Sequence, residues 1–103
     1  MVLANGYVMT TSFFRDFTIA ETYGAAAVQD TYNKIFAKWK NEYVHLSELS
    51  IVMNNLMWHH HKEGQTSQSE LCELYKKLYL KTDSYAHEHL TGEHLNFYYK
   101  VMN

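Results

Sequence analysis

Proline is absent from this chain of 103 residues, and only four glycines are present. Because these two residues are the strongest local breakers of regular structure, long helices are expected. Cys72 is the single cysteine, which excludes an intrachain disulfide and a cysteine-based zinc cluster and fits a reducing compartment. No stretch reaches the ~18 consecutive apolar residues of a membrane span, and the N-terminus lacks the regions of a signal peptide. The sequence therefore predicts a cytoplasmic protein that does not enter a membrane.

An excess of charge of one sign is also missing. Nine basic and eleven acidic residues give a net charge of −2, with histidine taken as neutral, and no acidic run occurs. Nucleic-acid binders usually carry a basic patch, so direct binding to nucleic acid is not expected. A DNA-binding accessory protein of element transfer stays an alternative, and salt-sensitive binding to duplex DNA would favour it.

Catalytic motifs are missing as well. The chain has no nucleophile elbow, no phosphate-binding loop and no glycine pattern for a dinucleotide. Cys72 lies at the edge of an apolar stripe without a basic neighbour that would activate its thiol. Carboxylate pairs such as Glu70 and Glu73 fit an ordinary helix surface. We predict that the protein is not an enzyme and holds no cofactor.

What the sequence does contain is apolar and aromatic residues at helical spacing, within a composition that is 47% hydrophobic. Three stripes recur: Val28, Tyr32, Ile35, Trp39, Glu42 or Tyr43, and Leu46; Leu49, Met53, Leu56, Met57 and His60; and Leu71, Leu74, Tyr75, Leu78, Thr82, Tyr85 and His89. The prediction is an all-α fold, a small helical bundle of three main helices plus short terminal helices. Residues 1–12 are predicted as an N-terminal arm and residues 13–103 as a single helical domain.

Two helix boundaries are predicted from local signals. Thr18 and Glu21 fit a capping box, so a short helix is expected from Thr18 to about Gly24. No clear breaker stands between residues 25 and 63. A single helix there would be ~60 Å long, so a turn at residues 41–45 suits a monomer, whereas an intact rod suits a homodimer.

Seven histidines raise the question of a metal site. His59, His60 and His61 are adjacent, so on a helix they fan across about 200° and cannot bind one ion together. In this stretch only His59 and Glu63 have the spacing of a ligand pair. We predict no metal site.

The remaining histidines fit structural positions. Gly92 is expected to break the helix between His89 and Glu93, which removes their four-residue spacing as a ligand pair. His60 and His89 are expected on core stripes, and His59 and His87 at the surface. A histidine-based metal- or pH-responsive helical regulator stays an alternative function.

Aromatic and apolar residues away from the main stripes indicate a second surface. They are interpreted either as packing around a middle helix that has neighbours on both sides, or as anchors for a protein partner. The candidate partner-binding residues are Phe13, Phe14, Ile51, Trp58, Tyr98 and Tyr99.

Three segments carry a family resemblance: DFTIA at Asp16–Ala20, DTYNKIFAKWK at Asp30–Lys40 and LTGEHLNFYY at Leu90–Tyr99. They resemble motifs of short accessory proteins carried on conjugative elements, plasmids and prophages of gut Firmicutes, and the likeness covers residues 13–102. His59–His61 departs from the mixed polar stretch expected there. The resemblance implies a shared fold and an anti-CRISPR or antirestriction factor. Such a factor would block a host CRISPR-associated or restriction nuclease by direct protein contact.

Overall fold

The computed structural model describes the backbone of residues 6–63 and 66–102 and the side chains of residues 6–61 and 70–102. Across those residues the chain forms five helices and no strand, so the predicted all-α class is confirmed. The helices are α1 (Phe13–Glu21), α2 (Ala25–Trp39), α3 (Tyr43–Glu63), α4 (Thr66–His89) and α5 (Gly92–Met102). Residues 6–12 precede α1 without forming a helix.

Helix α3 is the centre of the molecule, because it packs against each of the other four helices and most extensively against α4. One large apolar core joins α1, α2, α3 and α4. A smaller one lies between the start of α3, the end of α4 and α5, and consists of Leu46, Ala86, Leu90 and Tyr98. Within the part of the chain that the structure describes, no helix combines the length and apolar character needed to cross a bilayer.

Helix α1 starts earlier than predicted. The expected start at Thr18 is wrong: α1 begins at Phe13, and the Thr18 hydroxyl donates back to the Arg15 carbonyl oxygen at 2.9 Å. The physical reason is the buried stripe of Phe13, Phe17 and Ala20, whose spacing extends the helix towards the N-terminus. The stop predicted near Gly24 is correct, since α1 ends at Glu21.

The segment of residues 25–63 is two helices joined by a turn, which is the alternative that suits a monomer. Helix α2 ends at Trp39 and α3 begins at Tyr43. Glu42 starts the second helix: its carbonyl oxygen accepts the Leu46 amide at 2.9 Å and its carboxylate accepts the Val44 amide at 3.3 Å. These bonds satisfy amides that the first turn of a helix leaves free. Glutamate is not among the preferred capping residues, which explains why no boundary was visible in the sequence.

The stripes predicted for the two long helices are largely confirmed. Leu49, Met53, Leu56 and His60 of α3 are buried, as are Tyr75, Leu78 and Thr82 of α4. The break at Gly92 is also confirmed, since α4 ends at His89 and α5 begins at Gly92 with φ of 56°. A positive φ is a conformation that glycine adopts without steric cost.

Candidate functional site

Three of the predicted contact residues are core residues. Phe13 is 5% exposed, Ile51 3% and Tyr98 1%. The Phe13 ring lies against the His45 ring, with centroids 6.2 Å apart, and the Tyr98 hydroxyl bonds to Ser50 at 2.7 Å. In this conformation the three side chains offer no surface to a partner, and they fit the alternative interpretation as packing around a middle helix.

The other three predicted contact residues, Phe14, Trp58 and Tyr99, are exposed. Trp58 is the most exposed of them, at 52%. Tyr99 is partly held in place, because its hydroxyl lies 3.2 Å from His87 Nδ1. The six residues therefore do not form one surface, and Trp58 is the strongest remaining candidate among them.

A groove along α3 and α4 contains Trp58. Its first part is a hollow of about 330 Å³, and an adjoining hollow of about 280 Å³ shares Glu73 and Lys76 with it. We call the lining residues the Trp58 groove: Met57, Trp58, His61, Cys72, Glu73, Lys76, Lys77 and Leu80. Leu80 is 54% exposed and lies seven residues, about 10 Å of helix, beyond Glu73.

The groove combines two apolar anchors with a polar margin. The Trp58 ring meets His61 edge-to-face at 5.3 Å, which fixes one side of the indole. Cys72 is half-buried in the groove, and its thiol lies 3.6 Å from the Met57 carbonyl oxygen, as expected for a packed small residue. Two lysines and one glutamate provide charges of both signs. An exposed tryptophan within a polar rim is typical of a protein-binding face.

One histidine of the triple run is buried in a cluster that sequence reasoning did not foresee. His60 Nε2 lies 3.0 Å from a carboxylate oxygen of Glu21, and the Tyr75 hydroxyl donates to that same oxygen at 2.5 Å. The His60 and Tyr75 rings are stacked with centroids 5.6 Å apart. Burial first, and then the bond to Glu21, raise the pKa of Tyr75 well above its ordinary value. The cluster joins α1, α3 and α4.

A second cluster lies where α4 meets α5. His87 Nε2 is 3.4 Å from an Asp83 carboxylate oxygen, which also accepts the Tyr98 hydroxyl. Burial first, and then the bond to Asp83, raise the pKa of Tyr98. Together with the contact between His87 and Tyr99, these bonds link a buried tyrosine, a carboxylate, an imidazole and an exposed tyrosine.

Among the described side chains, no group of three His, Cys, Asp or Glu residues is placed to hold an ion. The predicted ligand pair of His59 and Glu63 includes Glu63, whose side chain is outside the described residues. The prediction that His89 lies on the core stripe is wrong: it is exposed at the end of α4, where its ring stacks on Tyr85 at 3.9 Å.

Glu48 is the most important residue that sequence reasoning missed. It is fully buried in α3, and its carboxylate accepts hydrogen bonds from the Tyr7 hydroxyl at 2.7 Å and from the Thr10 and Thr11 amides at 3.0 and 3.1 Å. Burial first, and then the bond to Glu48, raise the pKa of Tyr7. These bonds tie residues 7–11 to α3. The available signal was an acid in a run whose other residues are apolar or serine, because a buried carboxylate demands a partner.

Comparison with family models, with curated proteins and with solved structures finds no match to this chain. The resemblance to accessory proteins of mobile elements therefore stays a prediction from the motifs.

Proposed function

We propose that the protein acts by binding another protein through the Trp58 groove, rather than by catalysis. The observation that carries this proposal is that two exposed apolar side chains, Trp58 of α3 and Leu80 of α4, lie in adjoining hollows that share Glu73 and Lys76. Tryptophan is enriched among the residues that dominate binding energy, and polar neighbours exclude water around such anchors. The groove therefore supplies both elements of a binding face.

The partner that we propose is a host CRISPR-associated or restriction nuclease, met in the cytoplasm. This rests on the motif resemblance to accessory proteins of conjugative elements, plasmids and prophages. Inhibition would work by occlusion, which needs shape and an apolar anchor but no imitation of DNA charge. The near-balance of basic and acidic residues fits that mode.

The scaffold for this face is described most simply as three main helices with short terminal helices. Helices α2, α3 and α4 have 15, 21 and 24 residues, whereas α1 and α5 have 9 and 11, which supports that description. The groove lies between the two longest helices, where backbone positions are held by the most extensive packing.

Co-expression with a panel of CRISPR and restriction nucleases tests the proposal. Cells that carry a targeted plasmid are expected to keep it when the protein inhibits the matching nuclease. Trp58→Ala should abolish that protection, whereas Tyr23→Ala, which removes an aromatic ring that is 80% exposed outside the groove, should not. Full activity of every nuclease in the presence of the protein would overturn the nuclease as partner.

A homodimer is the alternative occupant of the groove. Sedimentation of the wild type and of Trp58→Ala over a range of concentrations separates the two cases. A dimer that dissociates in the variant assigns the groove to self-association, whereas a monomer in both leaves it free for a different protein.

The second candidate function is a pH-responsive regulator. It is favoured by two contacts between histidine and carboxylate, His60 with Glu21 and His87 with Asp83. A charged imidazole would strengthen either contact, of which His60 with Glu21 joins α3 to α1, whereas His87 and Asp83 both lie on α4. A shift from about pH 7.5 to about pH 5.5 should then alter the amide spectrum around both pairs. Identical spectra of the untagged protein, together with no stoichiometric metal by elemental analysis, would exclude a histidine-based regulator.

A further inference from the structure

A second cavity lies between residues 10–13, Asp16 of α1, helix α2 and the start of α3. Its volume is about 420 Å³, within the range of pockets that hold small molecules. Residues 10 and 11 form one wall, and they are held in place by their bonds to the buried carboxylate of Glu48. These bonds attach this wall of the cavity to α3.

Aromatic rings form the opposite wall. The Trp39 indole and the His45 imidazole stack with centroids 4.3 Å apart and planes 9° from parallel. Phe13 and Ile35 also line the cavity, so part of its surface is apolar. Among the described side chains, His45 Nδ1 is the one buried polar atom without a hydrogen-bond partner. Burying a polar atom without a hydrogen-bond partner is unfavourable. His45, which carries this atom, lines the cavity.

The charge at the rim favours an anion. Lys34 and Lys38 lie one helical turn apart on α2 and both line the cavity. Neither forms an ion pair with a described carboxylate, and the Lys38 ammonium lies 5.0 Å from the centre of the Trp39 ring. Asp16 is the one carboxylate in the lining, so the two lysines leave an excess of positive charge.

The start of α1 also borders this cavity, with Asp16 in its first turn. Residues 12 and 13 line the cavity, and the Ser12 side chain makes no capping bond to the first-turn amides. The amino end of a helix carries partial positive charge. The buried carboxylate of Glu48 already accepts hydrogen bonds from four donor groups and does not line the cavity.

We propose that this cavity binds a small organic anion, with its phosphate or carboxylate head group at Lys34 and Lys38 and its apolar body against Phe13, Ile35 and Trp39. Two ammonium groups in one turn match an anionic head, and the aromatic wall matches a flat or apolar body. The site is separate from the Trp58 groove and does not depend on the function proposed for that groove.

Fluorescence of Trp39 tests the proposal directly. The chain has two tryptophans, so Trp58→Phe leaves Trp39 as the single indole emitter. The probes are phenyl phosphate and benzoate, compared with inorganic phosphate and benzyl alcohol at constant ionic strength. At least one aromatic anion is expected to give a saturable change, with a weaker response to inorganic phosphate and none to benzyl alcohol. Amide chemical shifts of residues 10–13 and 34–39 provide a second readout.

A pair of matched variants assigns the head group to the lysines. Replacing both Lys34 and Lys38 with glutamine should weaken binding of the aromatic anion at least about tenfold, since two charged contacts are lost. The same change at Lys76 and Lys77 alters the net charge equally but lies on α4, and it should leave the affinity unchanged. Binding of phenyl phosphate alone or benzoate alone supports the proposal and identifies the preferred head.

Three results would overturn it. One is the absence of a saturable response to either aromatic anion up to about 10 mM, which marks a dissociation constant too weak for a site. Another is equal binding of neutral benzyl alcohol. The third is an unchanged affinity in the Lys34 and Lys38 variant whose circular dichroism matches the wild type.

Discussion

The two halves of α3 differ sharply in their surroundings. Every residue from 46 to 53, which we call the inner half, is buried, although a solitary amphipathic helix would bury one face. From 54 to 61, the outer half, only Leu56 and His60 are buried and Trp58 is exposed. The inner half is surrounded by other helices and by residues 7–11, whereas the outer half leaves one face open. The comparison separates residues that hold the fold together from residues that are free to bind a partner.

Polar residues in the inner half show how complete burial is tolerated. The Ser47 hydroxyl donates to the Tyr43 carbonyl oxygen at 2.7 Å, Ser50 bonds to Tyr98, and Glu48 receives its donors from residues 7–11. A buried polar group without a partner costs more than a satisfied one contributes. The inner half should therefore be sensitive to single-atom changes, and the open face of the outer half should not.

The largest effect is expected from alkaline pH, which acts on phenols bonded to the inner half and beside it. Burial raises the pKa of Tyr32 to about 12. It also raises the pKa of Tyr7, which bonds to Glu48, and the pKa of Tyr98, which bonds to Ser50. Unfolded phenols ionise near pH 10. The contribution of these phenols to the free energy of unfolding is therefore fully present below about pH 10 and is lost as the pH rises through their pKa values in the folded state.

Denaturant unfolding between about pH 8 and pH 12 should show a constant free energy that falls above about pH 10. Tyr32→Phe removes one of these phenols, so its stability should fall less steeply in that range. A free energy of unfolding that stays the same at about pH 12 would contradict burial of the tyrosines.

Glu48→Ala should have the next largest effect. Four donor groups lose their acceptor, so we expect the free energy of unfolding to fall by about 3 kcal/mol. Glu73→Ala, at an exposed carboxylate of α4, should change it by about 0.5 kcal/mol or less. Chemical denaturation of both variants provides the measurement. Equal losses would show that the inner half is not distinguished by its buried carboxylate.

Tyr98→Phe compared with Tyr99→Phe gives a smaller effect in neighbouring residues. Tyr98 is buried and bonds to Ser50 and Asp83, so loss of its hydroxyl should cost about 1–2 kcal/mol. Tyr99 is exposed, and its variant should stay within about 0.5 kcal/mol of the wild type. The difference between their thermal midpoints measures this. A larger loss of stability from Tyr99→Phe than from Tyr98→Phe would contradict the assignment of Tyr98 as buried and Tyr99 as exposed.

Trp58→Ala should have the smallest effect on stability, about 0.5 kcal/mol or less, because its side chain is 52% exposed. Leu56→Ala, two residues away but 1% exposed, should cost about 2–5 kcal/mol. Denaturant unfolding compares the two. If Trp58→Ala destabilises the protein as much as Leu56→Ala, the indole is a structural residue and the groove is not a free surface.

The parts of the fold predictable from the sequence are those governed by local spacing. Leu49, Met53 and Leu56 recur at helical intervals, and Gly92 marks a break. The start at Phe13 was missed because a plausible capping pair stood at Thr18 and Glu21, whereas the core selected the earlier start. Tertiary packing overrides a local signal of this size.

The candidate site was predictable only in part, for a related reason. Trp58 lies off the core stripe, and it is exposed as an anchor should be. Ile51 has the same helical angle two turns earlier, yet it is buried because the inner half has neighbours on all sides. Helical periodicity gives the direction of a side chain but not which elements cover it. The same limit hid Glu48, whose partners lie 37 to 41 residues away in the chain.

The most direct test of the separation between fold and function is the protection assay with a nuclease that the wild-type protein inhibits. Trp58→Ala, with circular dichroism and a thermal midpoint like those of the wild type, should lose protection, which corresponds to a loss of affinity of tenfold or more, at least about 1.4 kcal/mol. Tyr23→Ala should protect fully. Equal protection by wild type, Trp58→Ala and Leu80→Ala would contradict the Trp58 groove as the binding face.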